Sequence, residues 1–524
     1  MTALNDVKDT PAGGGNAPRT GVLVVGAGPT GLALACDLRR RNIEVRVVES
    51  RDRLARGSRG KGIQPRTMEV LDDLGLAPAV RAAGGPYPRM LIRRPGLPAA
   101  EWDIIERAET RDDTPYAEVW MLPQWRTQEL LHARLRELGG DVEFGAGVTH
   151  LTQDPDGVTA RLSTGETVRT RYAVACDGGR STVRAALGIG MTGESVDAEP
   201  SLVADVRIPG LDRGHWHAWQ DDAHGTLALC PLPGTDTFQL VAQRAALAAE
   251  GEDPAPVLRR LLAARTDLAP EQLEEVLYAS QFRVNAAMAD RFRRGRVLLA
   301  GDAAHIHSPA GGQGLNTSVQ DAYNLGWKLG LVLHGHAGEA LLDSYEKERA
   351  PLAARVLGLS TRLHGRAERR GGETGQLGIG YPDSPLTRYP AVPLPGGPAP
   401  GDRAPDARLP VGGSGPAAHG SSGAAAGSRE ATAPGGHGRV FDLLRGPHAT
   451  LLAVGDAAPP RGLPPYVRTR VIPPAGAYRN GTFYLVRPDG YLALVTGDPR
   501  EVAAYPAVLH TGAAEGAAGQ AVAT

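Results

Sequence analysis

Hydrophobic positions fall into three kinds of pattern along this chain: short unbroken apolar runs, helical stripes and strict alternation. Gly21-Val-Leu-Val-Val25 is a β-branched run of the length expected for a strand buried on both faces. A glycine turn follows, then Leu32-Ala-Leu-Ala-Cys-Asp-Leu38-Arg-Arg, which predicts a helix, then the strand Val45-Arg-Val-Val48. Tyr172-Ala-Val-Ala-Cys176 and Arg296-Val-Leu-Leu-Ala300 predict two further buried strands, and a helical run extends to about His334. Leu130, Leu131, Leu135 and Leu138 give the apolar face of a helix entered near Gln124. Val142-Glu-Phe-Gly145 and Val158-Thr-Ala-Arg-Leu162 predict an antiparallel meander around the turn Asp154-Pro-Asp-Gly157. From about 195 to 290 the period shifts to two. The runs 201–208, 215–220 and 238–241 predict an antiparallel sheet.

Past residue 365 the character changes again. Residues 371–438 are dominated by Gly, Pro, Ala and Ser and predict a linker or loop. Strand patterns resume at 449–454 and on both sides of the turn Arg487-Pro-Asp-Gly-Tyr491. At 524 residues, 42% hydrophobic, the chain can carry two or three domains with full cores. A formal net charge of −1 leaves no basic footprint for nucleic acid. No apolar stretch reaches the roughly 18 residues of a membrane span. The first twenty residues are polar and glycine-rich, with no apolar signal core, so a disordered extension and a cytoplasmic protein are expected. Cys36, Cys176 and Cys230 stand alone in apolar contexts, which indicates neither a disulfide framework nor zinc.

Three stretches carry the chemistry. In Gly26-Ala-Gly28-Pro29-Thr30-Gly31, Gly26 allows a tight turn, Gly28 lets backbone approach a pyrophosphate, and Gly31 lets helix and strand pack closely. The helix start presents unpaired N–H groups and a positive dipole end to phosphate. Glu49, 18 residues past Gly31, can accept hydrogen bonds from adenosine ribose hydroxyls and disfavours a 2′-phosphate. Asp177-Gly178 and Gly301-Asp302 each close a predicted parallel strand, where a carboxylate can hold a polyol. The glycine-rich run Pro309-Ala-Gly311-Gly312-Gln-Gly314-Leu315-Asn316 leads into a helix, so its backbone N–H groups can stabilise negative charge developing on a flat ring. His305 and His307, with Asp302, imitate a metal pair, yet Gly-Asp-Ala-Ala-His305 reads as support for that ring, and no metal site is expected.

In this order and spacing the three stretches resemble the class A flavoprotein monooxygenases of the para-hydroxybenzoate hydroxylase fold. The resemblance is strong over most of 20–365, including Asp321-Ala-Tyr-Asn324-Leu-Gly-Trp327-Lys328, and weaker in the tail. It implies an α/β protein with a Rossmann-like FAD-binding domain, an interleaved antiparallel β-sheet substrate domain and a C-terminal thioredoxin-like domain. The parts would be 21–85, 118–195 and 285–370 for FAD, 86–117 and 196–284 for substrate, and 439–524 for the tail, which has no cysteine for thiol chemistry. Tightly bound, non-covalent FAD would be met by Gly26, Gly28, Pro29, Thr30, Gly31, Glu49, Ser50, Arg51, Arg59, Gly60, Gln124, Val148, Asp177, Gly178, Gly301, Asp302, Pro309, Gly312, Gly314, Leu315 and Asn316. The family carries an arginine near the pyrophosphate and the moving flavin; Arg59 matches best, with Arg56 and Lys61 as rivals. Pro309, Gly311, Gly312 and Arg59 would lie beside the reacting part of the ring.

No second GxGxxG follows a strand, so NADPH or NADH would act as a transient donor and O2 as co-substrate. The resemblance implies transfer of OH from a flavin C4a-hydroperoxide to an electron-rich ring. Its length and tail look most like actinobacterial hydroxylases of polycyclic aromatic polyketides and of rifampicin-like antibiotics. Tyr116, Trp120, Trp216 and Trp219 suit a planar substrate, with His224 in the same domain. His215, His217, Asp221 and Asp222 are further candidates for a base. Baeyer–Villiger oxygenation of a related ketone is the enzymatic alternative, and a non-catalytic flavin- or antibiotic-binding protein is the alternative of another class. A monomer or homodimer acting on a small molecule is expected.

Overall fold

The structure, a computed structural model, describes residues 20–195, 199–247, 253–308, 310–363, 369–409 and 438–511. Residues 1–19 of the expected N-terminal extension, residues 410–437 of the Gly-, Pro-, Ala- and Ser-rich stretch and Pro309 lie outside the described residues. The strand Thr20–Val25 sits centrally, parallel to Val45–Glu49 on one side and to Thr167–Ala175 on the other. Val297–Leu299 adds in parallel beyond Thr167–Ala175. Val22, Leu23, Val24, Tyr172, Val174 and Leu298 are fully buried, as an unbroken apolar run in a doubly covered parallel sheet requires. Helices Pro29–Arg39 and Gly314–Leu333 cover this sheet and pack against each other. Their approach is close enough that a Cβ on Gly326 would stand 2.2 Å from Asp37 Oδ2.

Pairing differs from the sequence reading at one place. The strand Val142–Phe144 lies parallel to Val45–Glu49 at the edge of the nucleotide sheet, while the antiparallel hairpin is Val148–Asp154 with Gly157–Leu162. Short strands carry no mark of their partner, and this partner is distant in sequence. The alternating region forms a seven-stranded sheet in the order Glu275–Phe282, Ser201–Arg207, Thr237–Ala242, Gly225–Pro231, His215–Asp221, Arg89–Arg94 and Leu97–Trp102. One face buries Leu202, Leu229, Leu240 and Trp219 beneath helix Ala255–Arg265. The other face is turned to the nucleotide-binding part.

The tail is a four-stranded mixed sheet, with Ala449–Val454 parallel to Val467–Ile472 and antiparallel to Phe483–Val486, which pairs Leu492–Thr496. It docks through the Arg487-Pro-Asp-Gly turn. Arg487 donates to both Glu348 oxygens at 2.6 and 2.9 Å and to Asp489, while Lys328 Nζ and Asn324 Nδ2 each reach Glu348 Oε2 at 2.7 Å. Burial alone would push the Glu348 carboxyl up, but Arg487 and Lys328 hold it well below the usual range. Residues 371–409, the described part of the stretch expected as linker or loop, are irregular and packed. Thr374, Gln376, Tyr381, Thr387 and Asp406 are buried. Gln376 bonds Gln313, Thr317 and Gln320, so the segment satisfies polar groups that the helix Gly314–Leu333 buries.

Removing one partner of a buried ion cluster leaves charge without compensation. Arg487→Met is therefore expected to cost about 3–5 kcal/mol, read as a lower denaturation midpoint. Adding Glu348→Gln should recover part of that loss, and a single variant as stable as wild type would contradict the docking account.

Candidate active site

The three glycine- and aspartate-bearing stretches meet because their strands are neighbours in register. Val25 pairs with Ala175, and Ala175 with Leu299, so Gly26, Asp177 and Gly301 leave the same edge of the sheet side by side. At the first turn Gly26 has φ 104°, and a Cβ there would meet Cys176 O at 2.5 Å. A Cβ on Gly31 would lie 2.0 Å from Gly26 O. These positions exclude side chains by contact with the protein itself. Gly28 is different: its ordinary φ of −71° and the open space around a Cβ leave its backbone exposed to an incoming group. Pro29 and Thr30 begin the helix behind it. Glu49 accepts from Ala27 N at 2.9 Å and from Arg51 N at 3.1 Å, tying the first turn to Ser50 and Arg51. A Cβ on Gly147 would lie 3.0 Å from Ser50 Cβ, which brings Val148 beside that edge.

At the second turn Asp177 Oδ1 is buried without a hydrogen-bond partner, and desolvation raises its pKa. At the third, Asp302 is solvent-accessible, yet the protein surrounding it desolvates it and raises its pKa. That combination belongs to a carboxyl facing into a deep cleft. Arg59 and His305 oppose the rise, so the Arg59 guanidinium reaches the same cleft. Polar atoms left to be satisfied by a polyol are what a ribityl chain would meet.

Behind Asp302 runs a buried polar chain. His307 Nε2 bonds His305 Nδ1 at 2.8 Å, His305 Nε2 bonds Asp321 Oδ2 at 2.5 Å, and Arg349 Nε donates to Asp321 Oδ1 at 2.6 Å. Burial acts to raise Asp321, but His305 and Arg349 overcome it and hold the carboxyl down at about 2. His307 is driven well below its ordinary pKa by burial and by His305.

The loop 57–64 lies against this edge. Gln124 locks it reciprocally, its amide N donating to Gly60 O at 2.9 Å and its Oε1 accepting from Gly60 N at 3.0 Å. Asn316 Oδ1 accepts from Gln64 N, and its Nδ2 donates to Gly62 O and Gly312 O, each at 2.8 Å. Gly311 and Gly312 have φ of 78° and 63°, a left-handed pair that aims backbone at the space in front of Gly314 and Leu315. Of the rivals to Arg59, Lys61 turns away to Gln239 and the Trp216 ring, and Arg56 lies towards Asp52. Arg59 bonds Tyr278 OH at 3.1 Å.

The opposite wall is the seven-stranded sheet. Tyr278, Asp205, Gln239 and Cys230 form a transverse row across four strands. Trp216 and Met90 continue it. Trp216 therefore faces the loop. Trp219, an odd number of residues along the same strand, points to the other face, where its indole bonds Asp267 beneath the helix. His224 is exposed in the hairpin turn, bonded to Asp221. Trp120 donates to Val80 O, and Tyr116 lies near Asp72, Arg81 and Arg445. The fold brings none of these four to the row. His215 is held by Asp212 and Glu101, and His217 by Asp212 O. The row also holds residues that sequence reasoning missed: Asp205, Gln239 and, near Trp216, Tyr87 and Arg370. Polar residues at inward positions of an otherwise apolar strand were the available signal.

Residues 19–360 match the family described as FAD binding domain. A flavin-dependent monooxygenase of Mycobacteroides abscessus is 44% identical over 503 residues, 92% of this chain and 98% of that protein. A rifampicin monooxygenase of Rhodococcus hoagii is 38% identical over 342 residues, 64% of this chain and 69% of that protein. Among solved structures, a ternary complex of aklavinone-11 hydroxylase with FAD and aklavinone superposes with a TM-score of 0.73 at 28% identity, covering 97% of this chain and all of that one. No helix among the described residues is long and apolar enough to cross a membrane.

Asp205 yields a pH test of the chamber. It is 4% exposed, its Oδ1 has no hydrogen-bond partner, and desolvation raises its pKa to about 6 against the opposing pull of Ser58 and Lys61. The folded state thus favours the neutral acid. Its contribution is complete below about pH 4 and is lost as pH rises through 6, roughly 3 kcal/mol at 1.36 kcal/mol per unit. Asp205→Asn should match wild type at pH 4 and exceed it at pH 7, measured by thermal denaturation. An equal difference at both pH values would contradict the assignment.

Proposed function

This chain belongs to the FAD-binding-domain family of flavin-dependent monooxygenases, and on that premise we propose that it hydroxylates a polycyclic aromatic, polyketide-like compound at the expense of NAD(P)H. The observation that carries the cofactor reading is the alignment of Gly26, Asp177 and Gly301 at one sheet edge. There the open Gly28 backbone and the helix start receive a pyrophosphate, Glu49 and Val148 take the adenosine end, and Asp177 and Asp302 take the ribityl chain. Gly312, Gly314 and Asn316 present backbone to one side of the ring, and Arg59 closes the cleft over Asp302. When bound and reduced by a nicotinamide nucleotide, the flavin supplies activated oxygen from O2 for insertion into the substrate.

The side chains do the rest. Met90, Val119, Met121 and Trp216 form an apolar wall that excludes water and suits a planar ring system. Aklavinone in the complex of the 28% identical hydroxylase, and rifampicin in the name of the relative, support a fused-ring substrate. The tail, over its described residues 439–511, is assigned as a thioredoxin-like module with a structural role. Its lack of cysteine and its docking through Arg487 support this.

The test is turnover by the purified protein with NADH and NADPH against a panel of hydroxylated polycyclic quinones, with peroxide and product mass measured together. Substrate-stimulated oxidation with a product heavier by one oxygen is expected, and ring hydroxylation distinguishes it from lactone formation. Cofactor consumption that yields only peroxide across the panel, or none at all, would contradict the proposal.

A further inference from the structure

Tyr278 reaches the loop 57–64 through an irregularity in its own strand. Glu275–Phe282 is an edge strand of the seven-stranded sheet, and its pairing with Ser201–Arg207 slips at one point. Asp205 pairs with Tyr278, but Val206 pairs with Val276, so Leu277 is the extra residue of a β-bulge and is 45% exposed. In a regular strand Val276 and Tyr278 would share one face. The bulge instead leaves Val276 and Ala279 in the apolar cluster beneath helix Ala255–Arg265 and turns Tyr278 to the opposite face.

On that face the Tyr278 ring lies over the loop. Gly57 has φ 90°, and a Cβ on it would stand 2.2 Å from Tyr278 Cδ1, so the ring is accommodated only because residue 57 is glycine. Two residues on, Arg59 Nε donates to Tyr278 OH at 3.1 Å. Ser58, between them, is fully buried, and its carbonyl accepts from Gln239 on the sheet. On the other side of Arg59, Gly60 N donates to Gln124, and a Cβ on Gly60 would lie 3.6 Å from Leu315 Cδ1. Backbone connection therefore sets Arg59 between the sheet and the turn that ends in Leu315 and Asn316. Asp302 is among the groups on which its charge acts. The Arg59 side chain is exposed, and a long exposed side chain samples many rotamers unless a partner holds it.

We propose that Tyr278 is a positioning residue for Arg59: its ring fits over Gly57, and its hydroxyl fixes the guanidinium at the mouth of the cofactor cleft, facing the negative charge that reduction places on the flavin ring. This rests on the FAD-dependent reading and deepens it by naming the group that acts through Arg59. A cation held in place beforehand needs no reorganisation when the charge develops. A free guanidinium would give up its rotamer freedom at that moment, and part of its favourable interaction would be lost to ordering.

The test measures the midpoint potential of FAD bound to the purified holoenzyme, followed by bleaching of the visible flavin bands during slow reduction against a reference dye. A nearby cation favours the reduced, anionic flavin, so Arg59→Met should lower the potential by about 30 mV, a tenfold loss of preference for reduced over oxidised flavin. Tyr278→Phe keeps a ring over Gly57 and removes only the acceptor. A fall of about 20 mV, roughly fivefold, is expected for it. Tyr278→Trp should fall equally, because an indole donates but cannot accept. The double variant Arg59→Met with Tyr278→Phe should match Arg59→Met alone, since Tyr278 acts through Arg59. A potential unmoved by both Tyr278 variants, a double variant whose shift is the sum of the two, or an Arg59→Met potential equal to wild type would overturn the positioning role. Each of those results comes from a yellow enzyme and leaves the FAD reading standing. A wild-type chain that takes up no FAD overturns that reading instead.

Discussion

The carboxylate of Asp321 has no access to water, and much of the cofactor-facing architecture follows from how it is satisfied. Gly301 N, His305 Nε2 and Arg349 Nε all donate to it. The first two fix the turn that carries Asp302 and the short strand behind it. The third pins the helix Asp343–Leu363 against the helix that carries Asp321 itself. Arg349 then passes the constraint on, donating to Tyr381 OH and Thr317 O. A buried charge is tolerable only when every partner is in place. One carboxylate therefore ties the third motif, two helices and the irregular segment 369–409 into one arrangement.

The loop 57–64 is the second shared element. Asn316 and Gln124 fasten it to the cofactor edge, whereas Lys61 and the Ser58 carbonyl engage Gln239 on the sheet. One loop thus touches both the place for the ring and the place for the substrate. Its two anchors differ in kind. Towards the cofactor they are hydrogen bonds between amide groups alone, while towards the sheet the Lys61 ammonium joins the amide of Gln239.

Much of this was legible in the chain. The strand at 449–454 and the helix from Gln124 begin where periodicity puts them, and the three motif turns follow strands named from apolar runs alone. Local pattern is enough there because glycine geometry and burial are local demands. Partner choice is not local. Val142–Phe144 pairs with a strand nearly a hundred residues away, and nothing in three residues declares it. The substrate wall shows both cases. The separation of Trp216 from Trp219 by three residues already implied opposite faces in a strand. The meeting of Lys61 with Gln239 and the Trp216 ring joins a loop to two strands far off in sequence, so only the assembled fold discloses it. At 371–409 composition pointed to linker or loop but carried no mark of packing, because glycine and proline content does not show that the segment caps buried glutamines.

In the function proposed above, three aligned turns build one FAD site whose phosphate end is the bare backbone at Gly28. It is tested most directly by releasing and counting the flavin bound to purified wild type and to Gly28→Val. A Cβ at Gly28 meets no protein atom within 4 Å, so the protein itself does not exclude a side chain there and the variant should still fold. The account predicts about one FAD per wild-type chain, released intact by denaturation, and affinity weakened roughly 100-fold in the variant through lost backbone bonds to phosphate. Wild type that takes up no FAD, or a variant that binds it as tightly, would contradict the account.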